Sequence, residues 1–469
     1  MKSIGSSTLL LPTICLIWAF VLPATSAGQP PFPDIASSEI WIDGPDSVQP
    51  GSGPRESDVA VDDEGTRIHV WAAFDVIDRN DVYLRRFDAA GNPLEDPTRV
   101  NTTIESDQLY PRVAVSADGS FLVIFQSFEG SQYMVRSQAY DANGDPVGSE
   151  QLVSTVPTGD QVNVYADVAA LRGAGGNPGG YAVVWYSNQS SGSDSNLSIE
   201  GSVVSTAGVP GSQFQINSSN GLAERWPSVT ELKDGGFLSV WIEVFSGEVR
   251  GRHFNSAGGA TGPEFQINSF DNAFPGSWTD AAIGWNGNVL VVWEDAGSED
   301  PPLNSNGEIR GRWLDDSLNG MGSDFRINNL FEGIQDYPRV AEFGPKGFLV
   351  FWSSDTVSAG PDTTQSIEAR VVSGPNAFDH DGDGMDDPQV QYNVWDNDAG
   401  QNYPGSHGWY GRLATTWQSN TWDGEPPPDT INQLFLIGRN IEHCIFCTDM
   451  EWFSPGGNGN LWRWSKVVQ

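Results

Sequence analysis

One eight-residue phrase recurs six times in this chain. DGGFLSVW ends at Trp241, and its relatives EGTRIHVW, DGSFLVIF, PGGYAVVW, NGNVLVVW and PKGFLVFW end at Trp71, Phe125, Trp185, Trp293 and Trp352. Successive aromatics lie 54, 60, 56, 52 and 59 residues apart. The same pieces surround every copy. An apolar run such as PSVTEL (227–232) comes first, then an Asp-Gly-type turn, then the phrase. A variable loop leads to a third run, EVRGRHF (248–254), and a Gly-rich turn leads to a fourth, EFQIN (264–268). Short runs rich in β-branched and aromatic residues are strands. Asp-Gly and Asn-Gly pairs tolerate the positive φ of tight hairpins. Four antiparallel strands in each unit of roughly 40–60 residues predict a propeller blade. A single blade cannot bury both faces, so the units must stack around an axis.

The ends sharpen this expectation. Fourth strands are read at TRVN (98–101), EQLV (150–153), QFQIN (213–217), EFQIN and DFRIN (324–328), whereas the sixth unit ends at IEARVVSG (367–374) without one. Before the first unit stands an isolated strand, EIWID (39–43). Pairing it with the third strand of unit six would close the ring and leave no open sheet edge. The expected fold is therefore all-β: a six-bladed β-propeller over 37–374, closed by an N-terminal strand, with a small C-terminal extension of uncertain fold. The central residues of the first strands are small: Ala60, Ala114, Ala169, Thr230, Ala282 and Ala341. That suits the crowded axis, where bulk would overpack. A seventh blade in the tail stays open, although no segment there repeats the phrase. A line of self-closed sandwiches is the competing architecture, and the N-terminal strand argues against it.

The first 27 residues have the layout of a cleaved export signal: Lys2, the apolar run TLLLPTICLIWAFVL, and small residues at ATSA. The apolar run is too short and interrupted for a membrane span. The expected product is secreted, extracellular or at the cell surface, with the periplasm also open, and monomeric. The formal charge is −37, and loss of the single charge of Lys2 leaves −38. Such a surface repels nucleic acid and anionic lipid. Cys444 and Cys447 remain after cleavage, and in an oxidising compartment they suit a small structural disulfide.

Strand direction sorts the loops onto two faces. Turns such as FDAAGNPLE and YDANGDPVG share one face, and the long loops 186–198, 294–308 and 353–366 share the other. Function on a rigid scaffold concentrates in variable loops. On that long-loop face Glu56, Tyr110, Tyr165, Trp226, Trp278 and Tyr337 occupy one equivalent position at the entrance of the first strands. Two residues on come Asp58, Arg112, Asp167, Ser228, Asp280 and Arg339. An aromatic ring beside a polar ring near the axis could grip a sugar, a peptide side chain or an ion. The competing reading makes the aromatics a plug and the charges cross-blade pairs.

The segment FDHDGDGMDD (378–387) sets Asp379, Asp381, Asp383 and Asp387 at positions one, three, five and nine of a loop with Gly384 at six. The carbonyl of Met385 would supply position seven. Calcium takes six to eight oxygen ligands, and uncompensated carboxylates this close would repel. The loop resembles the calcium loops of thrombospondin type 3 repeats and bacterial dockerins, which are similar to the EF-hand. That resemblance implies a bound Ca2+ between propeller and tail, over 375–390. It departs at position twelve, where Val390 replaces the EF-hand Glu, leaving Asp396 or Asp398 to complete the shell. An acidic linker is the plain alternative. The six-fold phrase itself resembles repeats of large secreted or surface proteins of bacteria, over about residues 37–374. This implies an exported propeller-like body and carries no catalytic residues. The spacing of sialidase Asp-boxes is absent.

Residues 391–469 are rich in Trp, including Trp395, Trp409, Trp417, Trp422, Trp452, Trp462 and Trp464. A small domain with an aromatic core, a sugar-stacking surface and an unfinished or frame-shifted end are all open there. His69, His253, His380, His407 and His443 are scattered, and no nucleophile, zinc or nucleotide motif appears. The leading expectation is a non-enzymatic, exported recognition or surface protein that binds an extracellular glycan or protein on its long-loop face, with a calcium loop. The alternative is a secreted glycan hydrolase or lyase using carboxylates on that face.

Overall fold

The computed structural model describes side chains from 56 to 374, apart from segments 74–78, 155–164, 174–175, 189–196, 219–222, 270–277, 296–306, 330–332, 344–346 and 355–366 and the single positions 105, 131 and 285. Beyond this span it describes backbone strands only. The long loops 186–198, 294–308 and 353–366, the expected calcium ligands Asp379, Asp381, Asp383, Met385 and Asp387, and Cys444 and Cys447 lie wholly or mostly outside the described residues.

The repeats build six four-stranded antiparallel blades. Their first strands are Arg55–Val61, Gln108–Val115, Asp167–Arg172, Glu224–Glu231, Pro275–Ile283 and Gln335–Glu342. The phrase forms each second strand: Arg67–Phe74, Phe121–Glu129, Pro178–Ser187, Phe237–Glu243, Val289–Asp295 and Phe348–Ser354. First strands of successive blades pack side by side around the axis. Trp71, Phe125, Trp185, Trp241, Trp293 and Trp352 are all buried. Trp241 packs on Ala182 and Val184 of blade three, and Trp352 on Leu290 and Val292 of blade five. The repeated aromatic thus fills the wedge against the preceding blade. Truncating one to Ala costs about 3–5 kcal/mol.

Closure differs from the expected pairing. The third strand of unit six, Ser366–Val372, pairs with Val390–Gln391, so blade six has its own fourth strand. The N-terminal strand Ile40–Trp41 pairs instead with Gln433–Asn440, Ile40 opposite Leu436 and Trp41 opposite Phe435. With Asn402–Trp409 and Arg412–Ser419 it makes a seventh four-stranded sheet. Asn402–Trp409 packs against the first strands of both blade six and blade one. The tail therefore supplies a sheet between the last and first repeats, and the N-terminal strand completes that sheet. The physical need is the same, since an unpaired edge must be covered. A final hairpin joins Met450–Phe453 to Leu461–Trp464.

Two small devices recur among the described blades. In the third-to-fourth-strand turns, Asp88, Asp141, Asn255 and Asp315 fold back through Oδ1 onto backbone N–H groups two and four residues on. At the fourth strand, Asn101, Asn217, Asn268 and Asn328 are buried, and their Oδ1 atoms accept third-strand N–H groups of Val82, Ile199, Val249 and Ile309 at 2.8–2.9 Å. Ser154 does the same for Val135 in blade two. Gly251 lets this strand close in, because a Cβ there would stand 3.0 Å from Ile267 and 3.1 Å from Phe265.

Candidate functional site

The first strands of blades one, two, four, five and six each carry a bulge near their entrance. A bulge breaks the ladder and re-aims a side chain. At four of them Glu56, Tyr110, Trp226 and Tyr337 adopt φ of 45°, 51°, 51° and 54°. Left-handed backbone is strained for bulky residues and persists only where surroundings impose it. Here the Tyr110 N–H donates to Glu56 Oε2 at 2.8 Å, and Thr279 Oγ1 donates to the Trp226 carbonyl at 2.7 Å. Pro111, Pro227 and Pro338 follow directly; having no N–H, they suit the interrupted ladder.

The bulges gather the aligned aromatics into a collar. Tyr110 and Tyr165 meet edge to face at 4.6 Å, and the Tyr165 hydroxyl donates to that of Tyr110 at 3.3 Å. Tyr165 meets Trp278 at 5.0 Å, and Trp278 meets Tyr337 at 5.1 Å. Arg225 lies over Trp226 at 5.6 Å. Tyr110, Tyr165, Trp226, Trp278 and Tyr337 all remain half-buried, so each keeps part of its surface exposed.

Beneath the collar lies the polar ring, and its acids bridge blades. Asp58 Oδ2 accepts the Val113 N–H at 3.0 Å, Asp167 Oδ2 accepts that of Val229 at 2.8 Å, and Asp280 Oδ2 accepts that of Val340 at 2.8 Å. Each acid of blades one, three and five thus ties down the first strand of the next blade. Ser228 donates to Asp280 Oδ1 at 3.0 Å, and Arg339 lies 3.8 Å from the same oxygen. Burial pushes Asp280 up to about 6, against the pull of Arg339, and raises Asp58 against Arg112 and Arg339. Burial also lowers Arg112, aided by the like charge of Arg339.

Below the ring the axis opens into a cavity of about 150 Å³. Asp58, Arg112, Asp167, Asp280 and Arg339 form one end, and Ala114, Ala169, Ala170, Ala281, Ala282 and Ala341 line its walls. The other end reaches turn residues Ala117, Asn177 and Pro178 on the short-turn face. There Arg172 pairs with Glu231 at 2.8 Å, and burial pushes Glu231 up to about 7 despite that partner. The sequence reading missed this second charged level. Glu231 and Glu342 do stand at equivalent places, one residue after the small Thr230 and Ala341.

The structure thus brings together Tyr110, Arg112, Tyr165, Asp167, Trp226, Trp278, Asp280, Tyr337 and Arg339 around one axis. Among the described residues no three His, Cys, Asp or Glu side chains gather closely enough to hold a metal ion. Among them, too, no helix is long and apolar enough to cross a membrane.

No family model and no curated relative matches this chain. Solved structures do. An ulvan lyase, a polysaccharide lyase, is 8% identical with a TM-score of 0.50, over 86% of this chain and 96% of that one. A protein of unknown function from Dyadobacter fermentans is 11% identical with a TM-score of 0.46, over 86% and 98%. An α-L-arabinofuranosidase from Fusarium graminearum is 12% identical with a TM-score of 0.43, over 82% and 93%. At such identities the ulvan-lyase match shows a shared fold: the chain is an all-β propeller.

Proposed function

We propose that this protein is an exported, non-enzymatic recognition protein that binds an extracellular glycan on its long-loop face, with the aromatic collar as the floor of the site. The observation that carries this reading is the collar itself. Five half-buried aromatics, three of them on strained backbone, are held at one mouth of the axis. Aromatic faces stack well on the apolar faces of sugars and keep a polar handle for hydroxyls. The charged ring beneath is engaged in tying blades together, which favours a structural part for Asp58, Asp167 and Asp280 over acid–base work. A protein side chain is the other ligand the collar would suit. The loop at 379–387, which falls between the third and fourth strands of blade six, would hold calcium and stiffen that connection.

The enzymatic alternative has one observation in its favour: Asp280, pushed up to about 6, has the character of a general acid. Named neighbours such as the ulvan lyase act on polysaccharides, which fits glycan binding and glycan cleavage alike. A glycan array probed with and without calcium, followed by a turnover assay on every hit, separates the two. The proposal expects retained glycans without products. Product formation that disappears in Asp280→Asn while the fold persists would establish the enzyme instead.

A further inference from the structure

Over the six repeated blades the polar ring follows an alternation with one exception, and the seventh sheet places Gly405 at the equivalent position. Blades one, three and five carry Asp58, Asp167 and Asp280; blades two and six carry Arg112 and Arg339; blade four carries Ser228. Arg112 acts on both Asp58 and Asp167, and Arg339 on both Asp58 and Asp280. Between Asp167 and Asp280 there is a short hydroxyl in place of a guanidinium. Ser228 is buried, donates to Asp280 Oδ1 and stands back from the cavity wall. The described ring therefore presents three carboxylates to two guanidiniums, at one end of a cavity of about 150 Å³.

We propose that this cavity binds a small molecule bearing a guanidinium group, which enters from the short-turn face and lies between Asp167 and Asp280, where blades two and six place an arginine. Three features fit that chemistry. Asp167 and Asp280 each spend Oδ2 on the neighbouring backbone, which fixes the carboxylates, and Asp280 Oδ1, already accepting from Ser228, has a second lone pair for a further donor. The walls are methyl groups of alanine, which suit a short apolar stem. A planar fork of N–H donors can span carboxylates that are spread around a ring, whereas no trio of ligands gathers for a bare metal ion among the described residues. Ser116 adds a fourth sign. It lines the same cavity at its short-turn end, where the ligand would enter, and its buried Oγ lies beside the Tyr181 hydroxyl with no hydrogen-bond partner among the described residues. This site opens on the face opposite the collar and does not depend on glycan recognition.

The test is calorimetric titration of methylguanidinium chloride at millimolar concentration into the full mature chain, with sodium, ammonium and calcium chlorides as parallel probes. Saturable binding of methylguanidinium, weakened about tenfold or more in Asp167→Asn, is expected. Ser228→Arg places a tethered guanidinium in the cavity, so it should abolish the saturable heat and raise the melting temperature without ligand. No saturable binding to the wild type overturns the proposal. So does equal binding in Asp167→Asn, or binding of ammonium or calcium in preference to methylguanidinium. If Ser228→Arg fails to fold, Asp167→Asn decides, because its amide oxygen can still accept the Val229 N–H.

Discussion

Asp280 of blade five reaches across to blade six, where its Oδ2 accepts the Val340 N–H at 2.8 Å. The same bond links Asp58 to Val113 and Asp167 to Val229, so three of the blade junctions described share one staple. The first prediction concerns its strength. Asp167→Ala leaves the Val229 N–H without its acceptor and should lower stability by about 1–3 kcal/mol. Asp167→Asn keeps an acceptor and should lose less. Urea denaturation of both variants checks the order, and equal losses would remove the staple from the account.

A second prediction concerns the asparagine that closes each fourth strand. Asn268→Ala orphans the buried Val249 N–H and also frees the Gly247 carbonyl, to which Nδ2 donates at 3.0 Å. A loss of about 1–3 kcal/mol is expected for the orphaned donor alone. Hydrogen exchange at Val249 should speed up more than exchange in blade two, where Ser154 does the same work.

Buried titratable groups should push stability in opposite directions across the same weakly acidic window. His69 is buried against Phe87 with no partner for either ring nitrogen, and burial, then Arg67, holds its pKa well below the usual histidine value. Below about pH 6.5 the unfolded chain takes up a proton that the folded one resists, so stability drops as pH falls. Glu231 and Asp280 behave oppositely. Burial raises them to about 7 and about 6, so the folded chain binds their protons more readily. Their contribution is present below the ordinary carboxylate range and is lost as pH rises through those values. In denaturation profiles between about pH 4.5 and 7, His69→Leu should remove a contribution that rises with pH, and Glu231→Gln one that falls with pH. Unchanged profiles would contradict the assignment.

Calcium is the fourth expectation. Chelation should lower the melting temperature of the wild type, and the double substitution Asp381→Ala with Asp383→Ala should remove that response. A response that survives the double substitution would place the ion elsewhere.

Much of this architecture could be read from the residues, and the exceptions have physical causes. The six phrases mark six second strands because each must supply a large side chain to the same wedge. The fourth strand of blade six is Val390–Gln391, within VQYN, a variant of FQIN with both large side chains exchanged. It was hidden behind an acidic segment that drew attention to its own chemistry. The seventh sheet announces itself in QNYPGSHGW (401–409), a relative of QDYPRVAEF (335–343), and in TTWQS (415–419). Its Gly405 pairs with Thr416 as Arg339 pairs with Phe351, which sets Trp417 in register with Trp352. The Asp-Gly turn that made the other copies visible is missing there. At the axis, alignment found the aromatic and polar positions, but not the bulges that bring them together. Tyr and Trp carry no propensity for positive φ, so nothing local signals that backbone. Glu231 and Arg172 were overlooked because single charges at strand ends look like ordinary solvated surface.

The most direct measurement is calorimetric binding of an array-selected glycan to the wild type and to the double variant Tyr165→Ala with Trp278→Ala, with the same mixtures assayed for new reducing ends or unsaturated products. The account predicts saturable binding to the wild type, a loss of about tenfold or more in the double variant with the blade fold retained, and no product from either. Undiminished affinity in the double variant, or products that accumulate with the wild type and vanish in Asp280→Asn, would contradict it.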